Sequence, residues 1–184
     1  MPFKNIKKGA ILVARPTLNS DIFSRSVILL AEHHKDGSIG FILNKSLHLP
    51  ASIFASNLRT EHIVFEGGPV DRENIYYLHN RPDLIKDSHH IINNIYWSGD
   101  FEDLINAINN NLIDFHEIKF YLGYSGWEKD QLDDEIDRND WKIIRQHQID
   151  IFQHWHNDLW IDCMKKLGGE NLLWINTPSD PTLN

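Results

Sequence analysis

Two short runs of consecutive apolar residues, GAILVA at 9–14 and SVILLAEHH at 26–34, constrain this chain more than any other feature. A strand with one face in water alternates apolar and polar residues. These runs do not alternate, so strands built from them must be covered on both faces. The second run is followed by KDGS and then IGFILN at 39–44. Two apolar runs around Asp36-Gly37 read as a β-hairpin in which the glycine takes the positive φ of the turn. Periodicity alone leaves a buried helix open for runs this short.

EHIVFEGGPVDRENIYYLHN at 61–80 repeats that arrangement, with HIVFE and NIYYLH as strands and GGPVD as the loop joining them. NIYWSGDFEDLINAINNNL at 94–112 predicts a strand that turns at Ser98-Gly99 and enters a helix capped by Asp100. Glu102 and Asp103 favour that helix's positive end, and Leu104, Ile105, Ile108 and Leu112 form its apolar stripe. HEIKFYLGY at 116–124 alternates Ile118, Phe120 and Leu122 against His116, Glu117 and Lys119, as a strand does. WKIIR at 141–145 predicts a last strand. From Asp150 a helix is expected, with Ile151, Phe152, Trp155, Leu159, Cys163 and Leu167 on one face. Asp150 with Gln153 would form its capping box and Gly168-Gly169 its C-cap. The tail at 176–184 should be loose. Hairpins first and only two or three helices argue for α+β over a doubly wound parallel sheet. The 184 residues suit one domain spanning 1–184.

Net charge is −8, which opposes sequence-independent attraction to DNA or to anionic lipid, since both are driven by Lys and Arg meeting phosphates. Seven acids stand against Lys129 and Arg138 between Glu128 and Asp140, a run that reads as a solvated face. Six tryptophans without a basic groove do not indicate nucleic-acid stacking. Cys163 is the only cysteine, so no internal disulfide and no cysteine zinc cage can form within one chain, which favours a reducing compartment. The apolar run from Ala10 to Ala14 is too short for a signal peptide, and nothing approaches the length of a membrane span. A soluble cytoplasmic protein without membrane contact is expected.

GYSGWEKDQLDDEI at 123–136 puts the smallest and the bulkiest residues side by side. GYSG lacks the second glycine of a serine nucleophile elbow, because position 127 is Trp, so Ser125 reads as a small turn residue. GGPV at 67–70 lacks the Gly-Lys-Ser/Thr of a phosphate loop and reads first as a tight turn. His33-His34, His89-His90 and His154-x-His156 diverge on strands or helices, so neither a metal site nor a cofactor is expected. Glu32 and His33 end one strand and Asn44 ends its hairpin partner. With Tyr124, Gln131 and Glu135 they would form a polar pocket floored by glycines, Gly67 and Gly68 among them. In the opposing reading Asn44 and Glu32 only satisfy backbone groups at strand ends. Trp127 and Trp141, with Leu132 and Ile136, are most economically core plugs.

The N-terminal GAILVARP, FSRSV at 23–27, Glu32-His33 with Gly37, Gly40 and Asn44, GGPV at 67–70, and GYSGW with Gln131-Leu132, Glu135 and Trp141 together resemble the bacterial YqgE/AlgH family, from Gly9 to about Gly168. Ser46, Ser125 and Glu128-Lys129-Asp130 depart from the family's usual pattern. The resemblance implies one cytosolic α+β domain in which a mixed, strongly bent sheet curls around a helix, with further helices outside. Some members carry a transcriptional-regulator label linked to alginate production, and no catalytic residues, cofactor or DNA element come with the family.

The leading expectation is a non-enzymatic cytoplasmic domain that binds a small molecule or a protein partner at Glu32, Asn44, the GGPV loop and the GYSGW loop, with any regulatory role indirect. One rival is a DNA-binding transcriptional regulator, disfavoured by acidic charge and the lack of a helix-turn-helix or a Lys/Arg stripe. The other is a hydrolase or transferase using Glu32 or Glu135 as base with His33 or Ser125. A homo-oligomer is compatible with the sequence.

Overall fold

A computed structural model describes residues 6–18, 20, 22–145, 149–152 and 158–177. In chain order it contains β1 (Ala10–Ala14), β2 (Val27–His34), β3 (Gly37–Ile42), β4 (Ser46–Pro50), a 3-10 turn (Ala51–Ile53), β5 (Ile63–Glu66), β6 (Val70–His79), β7 (His89–Ile92) and β8 (Ile95–Trp97). α1 (Phe101–Asn109), β9 (Ile118–Glu128), α2 (Gln131–Asp137), β10 (Trp141–Arg145), α3 (Leu159–Leu167) and α4 (Asn171–Ile175) follow. The strands form one open sheet in the order β10-β1-β2-β3-β9-β6-β8-β7, with β4 on β5 and β5 on β9. The β5–β9 pair is parallel, which makes an otherwise antiparallel sheet mixed.

The unbroken apolar runs are explained by cover on both faces. Ile11, Val13, Val27, Leu29 and Phe41 point into one cluster, and Leu12, Ala14, Ile28, Leu30 and Ile42 into another on the opposite face. The first cluster also takes Phe65, Leu78, Ile95 and Tyr121 from the far half of the sheet, and Leu159, Trp160, Cys163 and Met164 from α3. One sheet face therefore wraps around α3. The outer face is covered by α1 over Val64, Tyr77 and Phe120, and by Leu132 of α2 with Trp127 and Trp141 over the β1–β3 half. The α+β domain with a bent mixed sheet curled around a helix, further helices outside, is thus what the chain forms. Its curl brings the far hairpin back towards the start of β1, where Lys8 Nζ donates to the His90 carbonyl at 2.8 Å.

Local signals fared well. Gly37 has φ 150 at the β2–β3 hairpin, and the Asp100 carboxylate caps α1 by accepting from the Asp103 N–H at 2.9 Å. Gly168, φ 63, ends α3. Long-range pairings did not. Residues 61–80 are not a hairpin, because β9 lies between β5 and β6 and pairs with both. GYSGW is not a loop but the second half of the 11-residue strand β9. Lys119, expected opposite the apolar face of that strand, is fully buried. Its ammonium donates to the Leu43 carbonyl at 2.7 Å and lies 4.0 Å from the centre of the Phe65 ring.

The C-terminal helix begins at Leu159, not Asp150. Ile151 and Phe152 reach the core ahead of it, and the Asp150 carboxylate accepts from the Phe152 N–H. Gln153 and Trp155, and with them the expected capping box, lie outside the described residues, as do positions 178–184 of the tail. Leu112 falls beyond α1 and is 53% exposed, its place on the buried stripe taken by Ala107.

Candidate functional site

The glycines at 67, 68 and 123 share one cause. β5 and β6 flank β9 on its two edges and are joined by only Gly67-Gly68-Pro69, so the connection crosses directly over β9. A Cβ on Gly67 would lie 2.0 Å from the Gly123 carbonyl oxygen, and one on Gly68 would lie 2.3 Å from the Ser125 nitrogen. From the other side, a Cβ on Gly123 would lie 2.5 Å from the Val70 carbonyl oxygen. Backbone rests on backbone, and only glycine permits that approach. The Gly67 N–H donates to the Leu122 carbonyl at 2.9 Å, and the buried Ser125 hydroxyl donates to the Gly67 carbonyl at 3.0 Å. Gly123, φ 65, also resets the side-chain alternation. Phe120 and Leu122 face α1, Tyr121 and then Tyr124 face the α3 side, and Trp127 joins the cluster under α2.

The expected pocket therefore separates into parts. Gly67 and Gly68 are filled against β9 and offer no cradle. Asn44 is a buried clip, its Oδ1 accepting from the Val27 N–H and its Nδ2 donating to the Arg25 carbonyl, each at 2.9 Å. Glu135 sits under α2, where Oε2 accepts from the indoles of Trp127 at 2.8 Å and Trp141 at 2.7 Å, and Oε1 accepts from Gln131 Nε2 at 3.0 Å. His33 pairs with the Ser38 hydroxyl at 2.8 Å and borders a small pocket of about 180 Å³ shared with Lys35, Asp130 and Asp133.

Glu32, Tyr124 and Gln131 do converge, on a groove of about 720 Å³ at the outer end of the β2–β3–β9 surface. Cross-strand register builds its floor. Glu32 stands opposite Ile39, and Ile39 opposite Gly126. Gly126 is exposed and leaves this row bare between Ile39 and Tyr124, with Val70 beyond. Tyr124 meets Tyr76 edge-on at 5.5 Å, and Ile39, Tyr76 and Tyr124 all pack against the α3-side core. The groove floor is therefore that core continued to the surface. Burial first, and the hydrogen bond to Asp71 second, push the Tyr76 phenol up to about 12. Along the rim, Glu32 accepts from the Trp97 indole at 3.1 Å and lies 3.0 Å from His34 Nε2, while Asp36 and Glu128 are exposed.

Gly126 differs from the glycines of the crossing. It has no positive φ, and an added Cβ would meet Val70 at 3.4 Å and Tyr124 at 3.5 Å, ordinary contact distances. Neither the backbone nor its neighbours require glycine there. Sequence reasoning included Val70 and Gly126 in the expected site only as members of the GGPV and GYSGW loops, and it did not reach Ile39, Asp36 or Glu128. The signal that finds them is the strand register, which places residues from three separate segments in one row.

Among the described residues no three His, Cys, Asp or Glu side chains are grouped to hold a metal ion, and His154 and His156 lie outside those residues. No helix among the described residues is long and apolar enough to cross a membrane.

The chain is similar over nearly its whole length to known bacterial proteins. A UPF0301 protein of Cytophaga hutchinsonii is 38% identical over 181 residues, covering 97% of this chain and 100% of that one. A UPF0301 protein of Parabacteroides distasonis is 36% identical, covering 96% and 91%. Among solved structures, the AlgH protein from Pseudomonas aeruginosa superposes with a TM-score of 0.73 at 23% identity, covering 93% of this chain and 94% of that one. A protein from Corynebacterium diphtheriae superposes with a TM-score of 0.71 at 18% identity, covering 96% and 95%. The model of the family described as AlgH-like matches residues 11–172, and with that match and these relatives the chain belongs to the AlgH-like family.

Proposed function

We propose that the protein is a non-enzymatic, cytoplasmic binding module whose ligand seats an apolar group on the bare backbone of Gly126. The observation that carries this reading is that Gly126 is exposed, sits in regular strand and has room for a side chain, yet has none. A trough floored by Ile39, Val70 and Tyr124 stays open as a result. Apolar surface left at the end of a core, with polar groups at its margin, is the usual make-up of a binding site.

Binding is favoured over catalysis because the groups a hydrolase would need do not converge. Ser125 is buried against the Gly67 carbonyl, Glu135 is held by two indoles and an amide, and His33 is turned to Ser38. The acidic margin disfavours direct contact with nucleic acid, so any regulatory role would run through the bound partner.

Titration with N-acetyl-leucine amide, followed by amide NMR, tests the reading. Saturable shifts at Ile39, Val70, Tyr124 and Gly126 are expected in the native protein and should vanish in a folded Gly126→Leu variant. Shifts that survive that substitution, or no shift at these residues at millimolar probe, would reject the groove as the site.

A further inference from the structure

We infer that the occupant of this groove is an extended segment of another protein that carries a lysine or arginine beside a bulky apolar residue. The inference rests on the groove reading and adds the chemistry of the ligand. Its first support is charge complementarity. Glu32, Asp36 and Glu128 line the groove, and among the described residues no lysine or arginine does. The Asp36 and Glu128 carboxylates have no partner among the described residues, and neither oxygen of Glu32 has more than one. His34, the one lining side chain able to become cationic, is 68% exposed and already beside Glu32. Three carboxylates around one trough with no fixed cation repel one another and hold a negative potential, which a ligand ammonium or guanidinium relieves.

The second support is shape. The trough is open to solvent along one side and spans from the β2–β3 hairpin tip to Val70 of β6. A compact ligand would leave most of its surface wet there, whereas a chain in extended form places alternate side chains downward and keeps its backbone at the rim. An apolar side chain of that chain fills the space above Gly126 between Ile39 and Tyr124, and a neighbouring basic side chain reaches Asp36 or Glu128. A lone apolar group would use only the floor and leave the carboxylates unanswered.

Fluorescence anisotropy with labelled hexapeptides tests this on the full chain. The probes are (Leu-Lys)₃, its neutral analogue (Leu-Ser)₃ and its acidic analogue (Leu-Glu)₃, with spermine as a competitor. The basic peptide is expected to bind at least about tenfold more tightly than the neutral one at low salt and to lose that margin as salt rises. Gly126→Leu should abolish its binding, and Asp36→Asn with Glu128→Gln should bring it down to the neutral peptide's affinity. Equal binding of the neutral peptide, still lost in Gly126→Leu, would overturn the basic-segment inference while leaving the groove in place. The inference also falls, with the groove intact, if no peptide binds although N-acetyl-leucine amide still shifts the groove residues, or if spermine displaces the basic peptide completely at equal concentration. Basic-peptide binding that ignores Gly126→Leu would be adventitious attraction to an acidic surface and would overturn it too.

Discussion

Glycine has two different uses where the β5–β6 connection meets β9, and substitution separates them. Gly67→Ala drives a methyl into the Gly123 carbonyl oxygen across the crossing. It should cost more than about 3 kcal/mol or prevent folding, because a backbone atom cannot swing aside. Gly126→Ala adds its methyl at ordinary contact distance in a strand of unstrained φ. It should be neutral or stabilise by about 0.5–1 kcal/mol by restricting the unfolded chain. Urea unfolding of the two variants checks both, and a destabilised Gly126→Ala would remove the main argument for the groove. At this scale the sequence was partly legible. Glu32, Tyr124 and Gln131 were grouped as residues that end a strand or follow one, and they do line one groove, although Tyr124 lies within β9 and not at its end. Asn44 and Glu135 were grouped with them because a polar residue that satisfies a strand end looks, in sequence, like one that meets a ligand. Only the partners tell them apart: two backbone groups for Asn44, two indoles for Glu135.

Elements whose signals lie within a few neighbouring residues were readable, and elements defined by distant pairing were not. The β2–β3 hairpin, the Asp100-capped α1 and β10 each announce themselves by a turn, a cap or a short apolar run. The β5–β6 pair was misread because Gly-Gly-Pro is equally suited to a turn and to a crossing over another strand, and nothing local reveals that β9 will fill the gap. α2 shows what an element owes to one residue. Its seven residues have only Leu132 buried, and the helix is tied down by Glu135 reaching the indoles of β9 and β10. Glu135→Ala would leave both indole N–H groups without their acceptor, with a loss of about 2–4 kcal/mol expected. Tryptophan emission should shift to the red as Trp127 and Trp141 gain water. Glu135→Gln, which keeps one acceptor oxygen, should lose less. Unchanged stability and emission in the alanine variant would show that α2 is held by packing alone.

At the scale of the molecule, the curl around α3 encloses a charge on the face of β9 opposite Ile118 and Phe120, a face that the sequence pattern left polar and the fold buries. Burial pushes the Lys119 ammonium down to about 7. Its ordinary value of 10.5 returns on unfolding, so between these two pH values the unfolded chain binds the proton more strongly than the folded one. This contribution therefore raises stability as pH rises from about 7, by up to about 1.4 kcal/mol per unit. Burial also raises the Cys163 thiol from 9.0 to about 12, which acts in the same proton-linked balance above pH 9 with the opposite sense, so the clean window is pH 7–9. Lys119→Met should be more stable than the native protein at pH 7, with the advantage shrinking towards pH 9 in urea unfolding. A constant difference across that window would refute the depressed ammonium. The same architecture carries a consequence for how the chain is made. Both flanks of the central strand leave the ribosome before the strand between them, already tethered by three residues that close off one side. β9 can therefore enter only from the open side, with no loop to thread, and the unsatisfied edges of β3, β5 and β6 must wait for it during synthesis. α3, which follows β9 and β10 in the chain, then fills the hollow. Assembly runs from rim to centre, so the nascent chain stays vulnerable to wrong partners until α3 has emerged.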